Sequence, residues 1–238
     1  MMRHFFFGAA LALVCVASSG ASAQLPTTRA GLPGPGSGGG GGGWSLIAHT
    51  GIDGAGSGVT TSAINTTGAN LLVAICNWYA SSGSISDSEG NIWTLGFATS
   101  GADTQVSIYY VYNPTVGSGH TFTWSAAKGP IMVMAWSGSA SSPEDQSAGQ
   151  NTTGATTIQA GSITPSQNNE LVIAGVDANN NISSIDSGYT ITDNESYTSG
   201  VSLGGAAAYL MQTTATATNP TWTLSGTNDS GAAIMSFK

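Results

Sequence analysis

From Trp44 onward the chain alternates apolar and polar residues with a period of two. His120, Phe122 and Trp124 alternate with Thr121, Thr123 and Ser125, and Val106, Ile108, Tyr110 and Tyr112 form a second such face. This is the signature of half-buried strands. Turn clusters such as Ser82-Gly83, Glu89-Gly90-Asn91 and Val116-Gly117-Ser118-Gly119 separate the runs. No window carries a sustained helical period. The pattern predicts strands near 45–50, 58–65, 70–79, 91–98, 105–113, 119–125 and 130–137. A second series is predicted near 155–163, 169–177, 188–193, 201–212, 219–225 and 231–237.

The second series repeats the first. Asn70-Leu71-Leu72-Val73-Ala74-Ile75 returns as Glu170-Leu171-Val172-Ile173-Ala174-Gly175. Thr121-Phe122-Thr123-Trp124-Ser125 returns as Thr221-Trp222-Thr223-Leu224-Ser225, and Val133-Met134-Ala135-Trp136 as Ile234-Met235-Ser236-Phe237. A fixed period signals a duplicated unit of about a hundred residues, with repeats over about 44–138 and 139–238. The fold class expected is all-β: an internally duplicated antiparallel β-sandwich of jelly-roll type. Two tandem immunoglobulin-like sandwiches are the alternative. Leu71–Tyr79 and Ile131–Trp136 are apolar on both faces, whereas a sandwich strand normally has one polar face. Their second face needs a cover, from loops, the other half or a partner.

The N-terminus reads as a targeting segment. Arg3 precedes an apolar run from Phe5 to Val16, and Ala21-Ser22-Ala23 supplies small residues for cleavage before Gln24. That makes 1–23 a signal peptide and predicts a secreted or periplasmic protein with no membrane span after cleavage, since the run is shorter than the roughly 20 residues a span needs. Residues 24–43, with Pro33-Gly34-Pro35-Gly36 and six glycines from Gly38, read as a flexible linker. Cys76 is then the one mature cysteine and cannot form an intramolecular disulfide. The net charge of −8, with only 4 Lys and Arg against 12 Asp and Glu, argues against nucleic acid as a partner.

Candidate chemistry is sparse. His49 and His120 are the only histidines beyond the signal, and no Gly-x-Ser-x-Gly elbow is present. Paired carboxylates occur as Asp87 with Glu89 and as Glu144 with Asp145, but the first pair lies in a turn-like sequence and no catalytic residue is assigned. Oxygen donors at alternating positions, Asp87, Glu89 and Asn91, make that loop a candidate calcium site. The excess of aromatic residues suggests a platform for sugar rings. Trp78 and Tyr79 end a strand and Tyr109 points away from Ile108 and Tyr110, so these three are the ligand-binding candidates.

The stretches Ser86-Asp87-Ser88-Glu89-Gly90-Asn91-Ile92-Trp93-Thr94, Tyr110–Pro114 and Ala135-Trp136-Ser137-Gly138 resemble a pattern in secreted bacterial β-sandwich surface modules. The resemblance implies a jelly-roll or immunoglobulin-like fold and a surface or polysaccharide-associated setting. The expected function is non-catalytic adhesion or carbohydrate binding, with polysaccharide or cell-surface glycan as partner. The alternative is a structural, self-assembling surface protein, and the least favoured reading is a polysaccharide-degrading enzyme.

Overall fold

In a computed structural model, residues 43–238 apart from Ala102 are described. The expected signal peptide, 1–23, and residues 24–42 of the expected linker lie outside the described residues. The chain is all-β, with antiparallel pairing throughout and no helix among the described residues. The first half contains β1 (Ser45–Ile52), β2 (Ser57–Thr60), β3 (Ile64–Asn65), β4 (Leu71–Trp78), β5 (Ile85–Asp87), β6 (Thr94–Ala98), β7 (Gln105–Tyr112), β8 (Ser118–His120), β9 (Phe122–Ala127) and β10 (Ile131–Ser137). The second contains β11 (Glu144–Gln159), β12 (Glu170–Ala178), β13 (Ile182–Ile185), β14 (Thr190–Glu195), β15 (Gly204–Gln212) and β16 (Thr221–Phe237).

The duplication is visible in the strand order. The first large sheet runs β1-β10-β4-β7-β6 and the second runs β11-β16-β12-β15-β14. The small sheet β2-β9-β5 has its counterpart where the far end of β11 and β13 flank the start of β16. Even the short ribbon β3-β8 returns as an isolated bridge between Ile163 and Thr218.

The doubly apolar strands are explained by three stacked cores. Leu71, Val73 and Ile75 of β4 face Leu171, Ile173, Ala207, Ala233, Met235 and Phe237 of the second large sheet. The opposite face of β4, with Leu72, Ala74, Cys76 and Trp78, packs on Phe122 and Trp124 of the small sheet. In the second half, Val172, Ala174 and Val176 pack equivalently on Ile158, Trp222 and Leu224. The central strands of each large sheet are therefore buried on both faces, once within their own repeat and once against the other. Full burial of each large aliphatic side chain contributes about 1.5–3 kcal/mol. The central approach is close: a Cβ at Gly175 would lie 2.7 Å from Ile75 Cγ2, so a bulkier residue there would push the sheets apart.

The predicted strands are found with shifted limits and one join; 58–65 splits into β2 and β3, 119–125 into β8 and β9, and β5 and β13 fall outside every predicted range. The stretch from Ser137 to Thr153, which carries no strand pattern, contains most of the first part of β11. The two predicted strands at 219–225 and 231–237 form the single β16. The polar run Gly226–Gly231 has turn-like composition, yet β11 pairs along it, with register shifts between Thr152 and Thr157 absorbing the mismatch.

Candidate functional site

The loop after β5 is organised around one carboxylate. Asp87 Oδ1 accepts from the backbone N–H of Glu89 (2.9 Å) and Asn91 (3.2 Å) and from Asn91 Nδ2 (3.3 Å), and Oδ2 accepts from Trp93 Nε1 (2.7 Å). His120 Nε2 lies 3.2 Å from Asp87 Oδ1 without the alignment of a hydrogen bond, and both side chains are fully inaccessible. On its other side, His120 Nδ1 is 2.9 Å from Thr66 Oγ1, and the ring stacks on Phe122 at 4.3 Å. A Thr66–His120–Asp87 row thus pins the ends of β3, β5 and β8 together. His120 is a buried packing histidine at the end of β8.

Of the three oxygen donors expected to hold calcium, Asp87 and Asn91 are already engaged by N–H donors within the loop and its neighbour. Asp87 is engaged as described, and Asn91 Oδ1 accepts from Thr115 N (2.7 Å) while its Nδ2 donates to Thr115 O (3.0 Å). Among the described residues no group of three or more His, Cys, Asp or Glu side chains has metal-binding geometry. The Asp87 oxygens face N–H donors, which is the arrangement of a self-satisfied turn.

The aromatic candidates are also separated. Trp78 is only 7% exposed and packs on Trp124, ring centroids 6.2 Å apart. Its place at a strand end does not bring it to a rim, because β9 crosses over it. Tyr109 leans on the same Trp124 at 6.1 Å, and burial, then the neighbouring Cys76, push its hydroxyl above the usual range. These two rings, expected among the ligand-binding candidates, instead pack in the core between β4 and the small sheet, because a second layer covers the face they occupy. Tyr79 differs, being 37% exposed.

Tyr79 lines a cleft of about 190 Å³ with Lys128, Asn179, Tyr197 and the segment Gly200–Leu203. Both repeats contribute. Lys128 holds a left-handed backbone conformation (φ 59°) between β9 and β10, and its ammonium sits 5.6 Å from the Tyr79 ring centroid. Leu203 N donates to Lys128 O (3.1 Å), tying the two halves across the cleft. Ser202 Oγ donates to Asp53 Oδ2 (3.1 Å) and Tyr197 N to Asn181 Oδ1 (2.8 Å), which fixes the second wall. The site offers two phenol rings, an amide, a hydroxyl and one cation. Sequence reading found only Tyr79, because Lys128, Asn179, Tyr197 and Ser202 share no local motif and meet only through sheet stacking.

The carboxylates Glu144 and Asp145, adjacent in sequence, are parted by the strand's alternation. Glu144 Oε2 accepts from Tyr110 OH (2.9 Å), whereas Asp145 turns to Ser166 and Lys238. No family model, curated protein or solved structure matches the chain.

Proposed function

We propose that the protein is a secreted, non-catalytic module that binds carbohydrate through the cleft at Tyr79. The observation that carries this reading is the exposed Tyr79 ring at a concave surface together with Tyr197, Asn179, Ser202 and Lys128. A ring face stacks on the apolar face of a sugar, and amide, hydroxyl and ammonium groups take its hydroxyls. Concave sites lined by aromatics with a few convergent polar groups are the usual form of a small-molecule site. The low content of charged residues, 7%, suits a neutral polyol better than a charged ligand.

The test is binding of the purified chain to a panel of polysaccharides, with Tyr79→Ala and Tyr197→Ala as variants. The expected result is saturable binding to one glycan class, weakened about tenfold by either change, equivalent to about 1.4 kcal/mol. Absence of binding across the panel, or binding indifferent to both changes, overturns the reading. Loss of binding in a calcium chelator would return attention to the Asp87 loop. The second reading, a self-assembling surface protein, is favoured by Leu95 (51% exposed) in the edge strand β6 and by Ile92 (88%) in the loop before it. Concentration-dependent light scattering abolished by Leu95→Lys would support it.

A further inference from the structure

The second repeat carries a polar cluster that the first lacks. Where the first repeat has Asn70, Ala135 and Ser137, the second has Glu170, Ser236 and Lys238, and Asp145 stands at the start of β11. In the first repeat Asn70 exchanges two hydrogen bonds with the Ser139 backbone (3.0 and 3.2 Å), an ordinary loop clamp. In the second, Lys238 Nζ lies 3.2 Å from Asp145 Oδ1, with the side chains 29% and 5% exposed. The lysine backbone is held on both sides: its N–H donates to Pro143 O and its carbonyl accepts from Ala140 N, both at 2.7 Å.

Asp145 is gripped by donors. Ser166 Oγ donates to Oδ1 and Ser166 N to Oδ2, each at 2.7 Å, and Ser236 Oγ approaches Oδ2 at 3.5 Å. Beside it sits Glu170, fully buried, with Oε1 accepting from Gln167 N (3.1 Å) and Oε2 unpartnered. Burial pushes the Glu170 carboxyl up; hydrogen bonds from Ser236 and Gln167 oppose this and the nearby Asp145 adds to it. Burial works the same way on Asp145, but the Ser166 hydrogen bonds and the Lys238 ammonium outweigh it and hold Asp145 below the usual range. An amine and a carboxylate 3.2 Å apart thus stand with a fully buried carboxyl beside the carboxylate.

We infer that Lys238 and Asp145 become joined by an intramolecular amide bond, with Glu170 transferring the protons. The Lys238 ammonium gives up a proton, and Glu170 relays it to the Asp145 carboxylate. The freed amine lone pair attacks Asp145 Cγ, forming the C–N bond as the carbonyl electron pair moves onto oxygen. The Ser166 N–H faces Oδ2, where that negative charge develops, in the manner of an oxyanion-stabilising donor. Glu170 then takes the second amine proton and returns it to the departing hydroxyl, so that the C–O bond breaks and water leaves. The sum is ammonium plus carboxylate to amide plus water, with no redox change and no change in net charge. Fixed geometry replaces a bimolecular encounter. Burial favours the neutral amide over the ion pair it replaces. The product welds β11 to the end of β16, a covalent brace in a described chain whose single cysteine, Cys76, is free.

The measurement is the intact mass of the purified chain under denaturing conditions, with its N-terminus determined. Wild type is expected to be lighter than its sequence by one water, and digestion is expected to yield a branched peptide joining the Asp145 and Lys238 segments. Lys238→Arg keeps the charge but not the nucleophilic amine, so it should run at its full sequence mass, as should Glu170→Gln. Wild type at full mass overturns the inference. So does a water loss that persists in Lys238→Arg, which would place the dehydration elsewhere, as at Asp53-Gly54. Water loss retained in Glu170→Gln would overturn the proton-transfer role of Glu170.

Discussion

The two repeats share one strand order but close their outer sheets differently. In the first, the outer strands are broken off as β2, β9 and β5, with Lys128-Gly129-Pro130 separating β9 from β10. A Cβ at Gly129 would lie 1.8 Å from Asn77 O, and Pro130 cannot donate to a ladder. In the second, Ser230-Gly231 lets β16 run through as one strand that serves both layers. The polar pins differ in the same way. Asp87 lies inside, against His120 and Trp93, whereas its register counterpart is the apolar Ile185, and the second repeat's loop aspartate, Asp186, stands where Ser88 does, at the surface, accepting from Thr221 N (2.7 Å). Pro220 stands where His120 would be, and Tyr189, in place of Trp93, hydrogen-bonds Thr218 Oγ1 at 3.0 Å instead. A separated sheet needs a buried polar anchor at its open end, while a continuous strand is anchored by its own ladder.

The largest effects come from the two central tryptophans, and they test whether the repeats are energetically equivalent. Trp124 and Trp222 are both fully buried. Either Trp→Ala change should cost about 3–5 kcal/mol in urea unfolding. Trp124 Nε1 donates to Asn77 O (2.7 Å), whereas Trp222 Nε1 has no partner. Trp124→Phe should therefore cost about 1 kcal/mol more than Trp222→Phe; equal costs would show that the cross-layer bond contributes nothing.

Next comes the contrast between the pins. Asp87→Ala leaves the donors of Glu89, Asn91 and Trp93 unpaired and should destabilise by about 3 kcal/mol or more, against about 1 kcal/mol for the exposed Asp186→Ala. Similar losses at both sites would erase the distinction between buried and surface anchors.

A smaller effect of opposite sign is expected at positions 77 and 177, equivalent in the two repeats. Asn77 Nδ2 reaches across to Val176 O (2.9 Å), and Asp177 Oδ2 accepts from Gln105 N (3.0 Å). Burial pushes the Asp177 carboxyl well above its usual range, against hydrogen bonds from Gln105, Ala178 and Asn77. A carboxyl raised in the folded state retains its proton there after the unfolded chain has lost it. Its stabilising contribution is thus complete below the unfolded carboxylate range and is lost as pH rises toward the folded value. Asp177→Asn should stabilise the protein at neutral pH by about 1–3 kcal/mol and flatten that part of the pH–stability curve. A variant less stable than wild type at pH 7 would contradict this. The smallest stability change, within about 0.5 kcal/mol, is expected for the exposed Tyr79→Ala, which should act on binding alone.

Much of the architecture was legible because alternation and the hundred-residue repeat are written locally. The strands β4, β7, β9, β10, β12 and β15 fall close to their predicted ranges, and Cys76 and His120, set among apolar residues, are buried. The start of β11 was not legible, since Glu144–Thr152 is polar and small and becomes a strand only through pairing with β16. Trp78 and Tyr109 misled for a related reason: strand position sets which face a ring takes, but not whether another layer covers it.

The sequence by itself determined that this chain is β-rich, duplicated and poor in charge, because period, repeat and composition are properties of neighbouring or equally spaced residues. The tertiary structure alone decided which faces are core. It placed the second apolar face of β4 against the other repeat. It brought Tyr79 to Tyr197 and Lys128 to Leu203, and it put Lys238 beside Asp145 and near Glu170. These meetings join residues far apart along the chain, and they are set by how sheets stack rather than by any motif those residues carry.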